Sequence, residues 1–154
     1  CHSSAGHAES SAVAAMLAVE HAEGLTTGQR YDAFAERVSA TKRDLLAFLI
    51  EARNAGKSVA AYGAAAKGNT LLNYCGVRED MVAFVADKNP TKQGRLLPGS
   101  RIPVVDPSAI TERKPDYLLI LPWNIKSEII AELAAIRSWG GRFVVPIPAL
   151  EVLP

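Results

Sequence analysis

The chain has 154 residues, with 17 Lys and Arg against 16 Asp and Glu and a formal net charge of +1. Its 49% hydrophobic and 21% charged residues describe a soluble globular chain long enough to bury a core. Near-neutral charge and 6% aromatic content exclude a basic nucleic-acid interface, and no apolar run approaches the ~20 residues needed to span a bilayer. Cys1 and Cys75 cannot make a disulfide framework, which makes the reducing cytoplasm the expected location.

The chain opens at Cys1 without an initiator Met or a signal-peptide pattern, as expected of a piece of a longer protein. Residues 1 to about 8 are small and polar, and predict irregular structure. His2 and His7 lie there with no cysteine or carboxylate cluster at ligand spacing, so no metal is expected. Ser10 or Ser11 can cap a helix through His21, whose apolar face is Val13, Ala14, Met16, Leu17 and Ala18 and which Gly24 ends. A second helix is predicted from about Gln29 to Ala55, with a stripe of Tyr31, Phe34, Val38, Leu45, Leu46, Phe48, Leu49 and Ile50 and a stop at Asn54-Ala-Gly56. Arg37, Lys42, Arg43 and Asp44 form its expected solvated face. Residues 1–56 therefore read as a helical segment packed on the core.

From Lys57 short apolar strands alternate with helices. Ser58–Tyr62 predicts a strand, a glycine turn follows, and a helix runs from about Ala65 to Tyr74. Val82–Ala86 predicts a second strand, ending in Asp87-Lys-Asn-Pro90; residues 91–101 read as a loop, and Ile102–Val105 as a third strand. Asp106-Pro107 precedes a brief helix at Ser108–Thr111. Tyr117–Leu121 is the fourth strand, turning at Pro122-Trp-Asn124; a helix spans Lys126–Ser138, and Phe143–Ile147 is the last strand. Continuous apolar strands alternating with helices imply a Rossmann-like α/β fold over 57–154, a parallel sheet of about five strands covered on both faces. The expected order is 3-2-1-4-5. Its topological switch lies between strands 1 and 4, where open α/β sheets bind ligands.

The residues after those strands are Gly63–Thr70 and Pro122–Asn124. Gly63 and Gly68 lack the middle glycine of the dinucleotide fingerprint, and Lys67 precedes Gly68, so this is not a P-loop either. The order of turn, Lys67-Gly-Asn-Thr70 and helix nevertheless sets backbone amides and one cation where a phosphate can meet them. Asn69 and Thr70 offer neutral hydrogen bonds, or else they cap the helix. Asp87 stands where dinucleotide folds place a ribose-holding acid, but Lys88, Asn89 and Lys92 beside it suit a further phosphate or sugar diphosphate; an ordinary strand-end turn explains the same residues. Trp123 can stack on a base or sugar and Asn124 can read a polar edge, or Trp123 seals the sheet edge. Outside the opening segment no serine has a neighbouring histidine, His21 lies on a helix far from the crevice in sequence, and Glu128 and Glu132 read as a solvated pair on a helix. Nothing here suits nucleophilic or acid–base chemistry.

The runs Tyr62-Gly-Ala-Ala-Ala-Lys-Gly-Asn-Thr-Leu-Leu-Asn-Tyr-Cys-Gly76, Asp87-Lys-Asn-Pro-Thr-Lys-Gln-Gly94, Leu97-Pro-Gly99, Pro115-Asp-Tyr-Leu-Leu-Ile-Leu-Pro-Trp-Asn124 and Trp139-Gly-Gly-Arg-Phe-Val-Val-Pro-Ile-Pro148 resemble the C-terminal domain of the sugar C-methyltransferases. These are S-adenosylmethionine-dependent enzymes of the deoxysugar C-3 methyltransferase type, and the likeness covers about residues 8–150. The resemblance implies a parent in which a zinc-binding N-terminal domain and a central S-adenosylmethionine domain precede a Rossmann-like domain that helps bind a nucleotide-linked keto-sugar. It implies no catalytic residue, metal or cofactor in this stretch, since the family's His-Gly-Gly-Ser-Leu-Arg type motif is not matched by His2-Ser-Ser-Ala-Gly. The positions it implies for the substrate are Tyr62, Gly63, Lys67, Gly68, Asn69, Thr70, Asp87, Lys88, Asn89, Lys92, Trp123 and Asn124. Two other readings stay open: a free-standing nucleotide module for NAD or a CoA-like ligand, and a structural module that dimerises through its leading helices.

Overall fold

In the computed structural model, which describes residues 10–154, the apolar runs become β1 (Val59–Tyr62), β4 (Tyr117–Ile120) and β5 (Arg142–Val145), with shorter β2 (Val85–Ala86), β3 (Val104–Val105) and β6 (Glu151–Leu153). Their order is β3-β2-β1-β4-β5-β6. The first five are mutually parallel and β6 runs antiparallel to β5. The expected order of five is met; the sixth strand is additional, formed where Glu151–Leu153 pairs with Phe143–Val145.

Side chains one residue apart on a strand point to opposite faces, and this pleat divides the core in two. Val59, Ala61, Val85, Leu119, Leu121 and Val144 share one cluster with Leu45, Leu49 and Ala52 of α2 (Gly28–Asn54) and with Leu71, Leu72 and Cys75 of α3 (Ala66–Cys75). Ala60, Tyr62, Ala86, Leu118, Ile120, Phe143 and Val145 form the other, with Ala109 and Ile110 of α4 (Ser108–Arg113) and Ile129 of α5 (Lys126–Glu132). Helices therefore cover both faces, and β1 and β4, the two central strands, are buried on both sides.

The chain divides into two compact units, one ending at Ser39 and one running from Ala40 to Pro154. The division falls inside α2. Its residues from Leu45 onward carry the buried positions, whereas Tyr31 and Phe34 of the expected stripe are exposed. In the first unit α1 (Ser11–Ala22) buries none of its residues, and Ser10 occupies the N-cap without a side-chain cap bond. The link to α2 is held locally: Thr27 Oγ1 donates to the Gly24 carbonyl at 2.7 Å and Tyr31 OH to the Leu25 carbonyl at 2.7 Å. Cys1, His2 and His7 lie outside the described residues.

The helix expected over 126–138 is two pieces: α5 stops at Glu132, and Ala134–Trp139 is wound as a 3-10 helix. That tighter stretch keeps Ile136 in the core and brings the Trp139 indole to the Pro115 carbonyl at 3.1 Å. No helix of the described residues is long and apolar enough to cross a membrane.

Candidate functional site

The turn after β1 is shaped by two close approaches. Gly63 has φ +87°, and a Cβ there would stand 2.4 Å from Pro122 Cγ. A Cβ on Gly68 would stand 2.5 Å from Leu121 Cβ. Both glycines thus let the turn and the first turn of α3 lie against the end of β4, which is a packing reason independent of any ligand. Gly63 N–H donates to the Ala86 carbonyl at 2.8 Å, and Ala65 N–H to the Gly63 carbonyl at 2.8 Å. Ala65 is the N-cap of α3 and has no side chain to cap with, so Asn69 and Thr70 do not cap this helix. The first bond back along the helix runs from Asn69 N–H to the Ala65 carbonyl at 2.9 Å, so the amides of Ala66, Lys67 and Gly68 have no acceptor within it.

Asp87 braces this turn from the end of β2. It is 9% exposed, and its Oδ2 accepts the Ala64 N–H at 2.7 Å and Lys92 Nζ at 3.2 Å, while Oδ1 accepts the Asn89 N–H at 2.8 Å. Burial opposes its charge, but the bonds from Asn89, Lys92 and Ala64 outweigh that and hold the carboxyl below its ordinary range. Lys92 Nζ also donates to the Ala64 carbonyl at 2.9 Å. Asn89 Oδ1 accepts the Thr91 N–H and hydroxyl, closing its own local turn. Gln93 Nε2 donates to the Asp87 carbonyl at 2.9 Å.

Across the switch point, Lys67 Nζ donates to Asn124 Oδ1 and lies 4.6 Å from the centroid of the Trp123 ring. Trp123 is half-buried at the top of the sheet and packs against both core clusters. Lys67 and Asn124, 57 positions apart in the chain, therefore meet as the strand order predicts. Thr70 turns its hydroxyl back to the Ala66 carbonyl at 3.1 Å, and Asn69 faces the other way, into the cavity described below.

Two of the expected residues lie apart from this group. Tyr62 is buried on the α4 and α5 face of the sheet, where burial above all raises its phenol. Lys88 forms an ion pair with Glu132 of α5 at 2.6 Å, so Glu132 is not simply solvated.

A cavity of about 690 Å3 opens on the β2–β3 side of the α3 N-terminus. Ala64, Ala65, Ala66 and Asn69 form one wall; Arg95, Leu96, Leu97, Pro98 and Val104 form the other, with Lys92 between them. Sequence reasoning misses the far wall. Its only signal in the sequence is an arginine followed by Leu-Leu-Pro inside a segment that reads as loop. That wall is tied down by Asn73 of α3, whose Nδ2 donates to the Pro98 carbonyl at 2.9 Å, and by Arg78, which donates to the Gly99 carbonyl at 2.6 Å. The Arg95 guanidinium has no hydrogen-bond or ion-pair partner among the described residues. Apolar walls, unmatched amides and a free guanidinium suit a flat ring carrying an anionic tail. Among the described residues no three His, Cys, Asp or Glu side chains stand close enough to hold a metal ion.

Residues 1–148 match the family described as the C-methyltransferase C-terminal domain. The C-methyltransferase NovU of Streptomyces niveus is 42% identical over 152 residues, which are 97% of this chain and 36% of that protein. The chain thus spans about a third of the length of that curated relative. Among solved structures, UDP-D-quinovosamine 4-dehydrogenase from Vibrio fischeri aligns with a TM-score of 0.45 and 18% identity over 64% of this chain and 93% of that one.

Proposed function

The chain belongs to the family of C-methyltransferase C-terminal domains, and from that premise we propose that it holds the nucleotide end of a nucleotide-linked keto-deoxysugar for methylation at carbon. The observation that carries this reading is the cavity meeting the N-terminus of α3. Leu96, Leu97, Pro98 and Val104 offer apolar surface for a base; the amides of Ala66, Lys67 and Gly68 and the Arg95 guanidinium are donors for a diphosphate. Lys67 adds a cation for the diphosphate from the opposite side of the same helix terminus, beside Trp123 and Asn124, where the sugar would extend.

In this proposal the domain binds and orients but does not itself react. S-adenosylmethionine supplies the methyl group when bound, and the groups that move the proton, the S-adenosylmethionine site and a zinc site lie in domains of the longer protein, in the cytoplasm.

A thermal-shift panel with TDP, UDP, GDP, CDP, NAD, CoA and S-adenosylmethionine tests the reading. A ligand at ~100 times its dissociation constant adds about 2.7 kcal/mol of stability, a shift easily read. A response to one nucleoside diphosphate with none to S-adenosylmethionine is expected. A response confined to NAD or CoA would replace the proposal by the nucleotide-sensing module.

A further inference from the structure

In dinucleotide folds the acid that ends the second strand holds a ribose hydroxyl. Asp87 occupies that place and faces a different partner. Both of its oxygens already accept protein donors, and two of the three donors belong to Ala64 and Lys92. Lys92 in turn donates to the carbonyl of the same Ala64. One residue of the turn is thus gripped by its N–H and its C=O at once, by a carboxylate and an ammonium that also bond to each other. This matters because Ala65, the N-cap of α3, carries no capping side chain, while Ala64, Ala65 and Ala66 line the cavity. The direction in which the α3 amides point is thus braced by the Asp87–Lys92 bracket, alongside the bonds from Gly63 N–H to Ala86 and from Ala65 N–H to Gly63 and the packing of Gly63 and Gly68.

We propose that Asp87 and Lys92 are positioning residues: they set phosphate affinity through the Ala64 peptide, and Asp87 does not read the ribose. The inference rests on the nucleotide-binding reading above and adds a specificity to it, since a carboxylate committed to three protein donors and outside the cavity lining gives no reason for a ribonucleotide to be favoured over its 2′-deoxy counterpart.

The test is calorimetric titration of the whole 154-residue chain with paired ribo- and 2′-deoxyribonucleoside diphosphates (UDP and dUDP, and the same pairs for adenine, guanine and cytosine), carrying forward the tightest pair. The wild-type chain is expected to bind both members within about threefold, a fraction of what a lost charged hydrogen bond costs. Asp87→Asn and Lys92→Gln should each weaken both members about tenfold, and the double variant should be no more than about threefold worse than the weaker single one, because both act through one peptide. A larger loss for the ribo member in Asp87→Asn would place the acid on the ribose and overturn the inference. Losses that multiply in the double variant would overturn it as well, by placing Lys92 on the phosphate independently.

Asp87 is buried, so its variant can fail to fold; Lys92→Gln then decides alone, through the dependence of affinity on salt. An unchanged salt slope supports positioning, whereas a slope reduced by about one charge means direct phosphate contact. A wild-type chain that binds none of the diphosphates overturns the binding reading itself, a result distinct from any of these.

Discussion

β1 is closed at each end by an aspartate of a neighbouring strand, a lysine and backbone amides, with Asp116 leading into β4 and Asp87 following β2. At the N-terminal end Asp116 accepts the Ser58 N–H at 2.9 Å, the Ser58 hydroxyl at 2.8 Å and Lys57 Nζ at 2.9 Å, and its own N–H donates to the Ser58 hydroxyl at 3.1 Å. At the C-terminal end Asp87 takes the Ala64 and Asn89 amides and Lys92. The device is the same, so an acid holding amides is a way of pinning chain segments and is not in itself a binding site. What separates the ends is the donors left over. Around Asp116 donors and acceptors answer one another, while beside Asp87 the α3 amides and the Arg95 guanidinium face a cavity. Gly63 and Gly68 add to the difference, because at that end the start of α3 presses against the end of β4.

Changing those glycines should separate the ends most sharply. Gly63→Ala combines a positive φ, worth about 1–3 kcal/mol of strain, with an overlap on Pro122 worth about 1–3 kcal/mol, and about 3 kcal/mol of destabilisation is expected in urea unfolding. Gly68→Ala, which meets Leu121 with an ordinary helical backbone, should cost less, about 1–3 kcal/mol. A nearly neutral Gly63→Ala would mean that Pro122 yields cheaply and that the glycine serves ligand approach alone. Lys67→Ala should act on the other quantity: about 1.5–3 kcal/mol of nucleoside diphosphate affinity lost, with the unfolding midpoint almost unmoved. Unchanged affinity would move the site away from the switch point and towards the Arg95 wall.

Much of this layout is legible in the order of residues alone. Short apolar runs at regular spacing specify a doubly covered parallel sheet, and right-handed crossovers leave few strand orders, so the meeting of Lys67 with Trp123 and Asn124 follows from topology. Contacts made by polar side chains across long sequence gaps are not legible. Nothing in Asp87-Lys-Asn-Pro says that the carboxylate turns inward to Ala64 while Lys88 reaches Glu132, because either lysine fits either role by composition. The wall at 95–98 is hidden for another reason: its apolar residues lie between Gly94 and Gly99 and carry no period, and it is the tethers from Asn73 and Arg78 and the backbone bonds to Ile102 and Val104 that make them a surface. β6 is missed because three residues after two prolines make no pattern of their own; pairing with β5 creates the strand.

The Asp116 end offers a pH signature. Bonds from Ser58 and Lys57 depress its carboxyl from 3.8 to about 2. A depressed acid contributes stability that is fully present above its unfolded value and is lost as pH falls through the folded one. The contribution should therefore hold above about pH 4 and vanish between about pH 4 and pH 2. Solvent screening at a side chain 36% exposed reduces it to about 1 kcal/mol. Asp116→Asn should be less stable than wild type at pH 7 by that amount and equal to it near pH 2. Asp87 obeys the same sign, so a double variant with Asp87→Asn should flatten the acid limb further.

The smallest expected effect belongs to Lys88 and Glu132, which join the turn after β2 to α5 across 2.6 Å with side chains 63% and 44% exposed. An exposed pair of this kind contributes about 0.5 kcal/mol or less, so Glu132→Gln should barely shift the unfolding midpoint. Its useful readout is Tyr62 beside it. Burial raises that phenol first, Glu132 raises it further and Lys88 lowers it. Glu132→Gln should consequently bring the Tyr62 titration down while leaving it above its ordinary value, and Lys88→Gln should push it up, as read by tyrosinate absorbance against a Tyr62→Phe control. Opposite movements in the two variants would show that the pair tunes Tyr62 on the α5 face, separately from the turn that Asp87 holds. Identical movements would mean that the pair acts by displacing α5, and the two faces of the crevice would then be mechanically one.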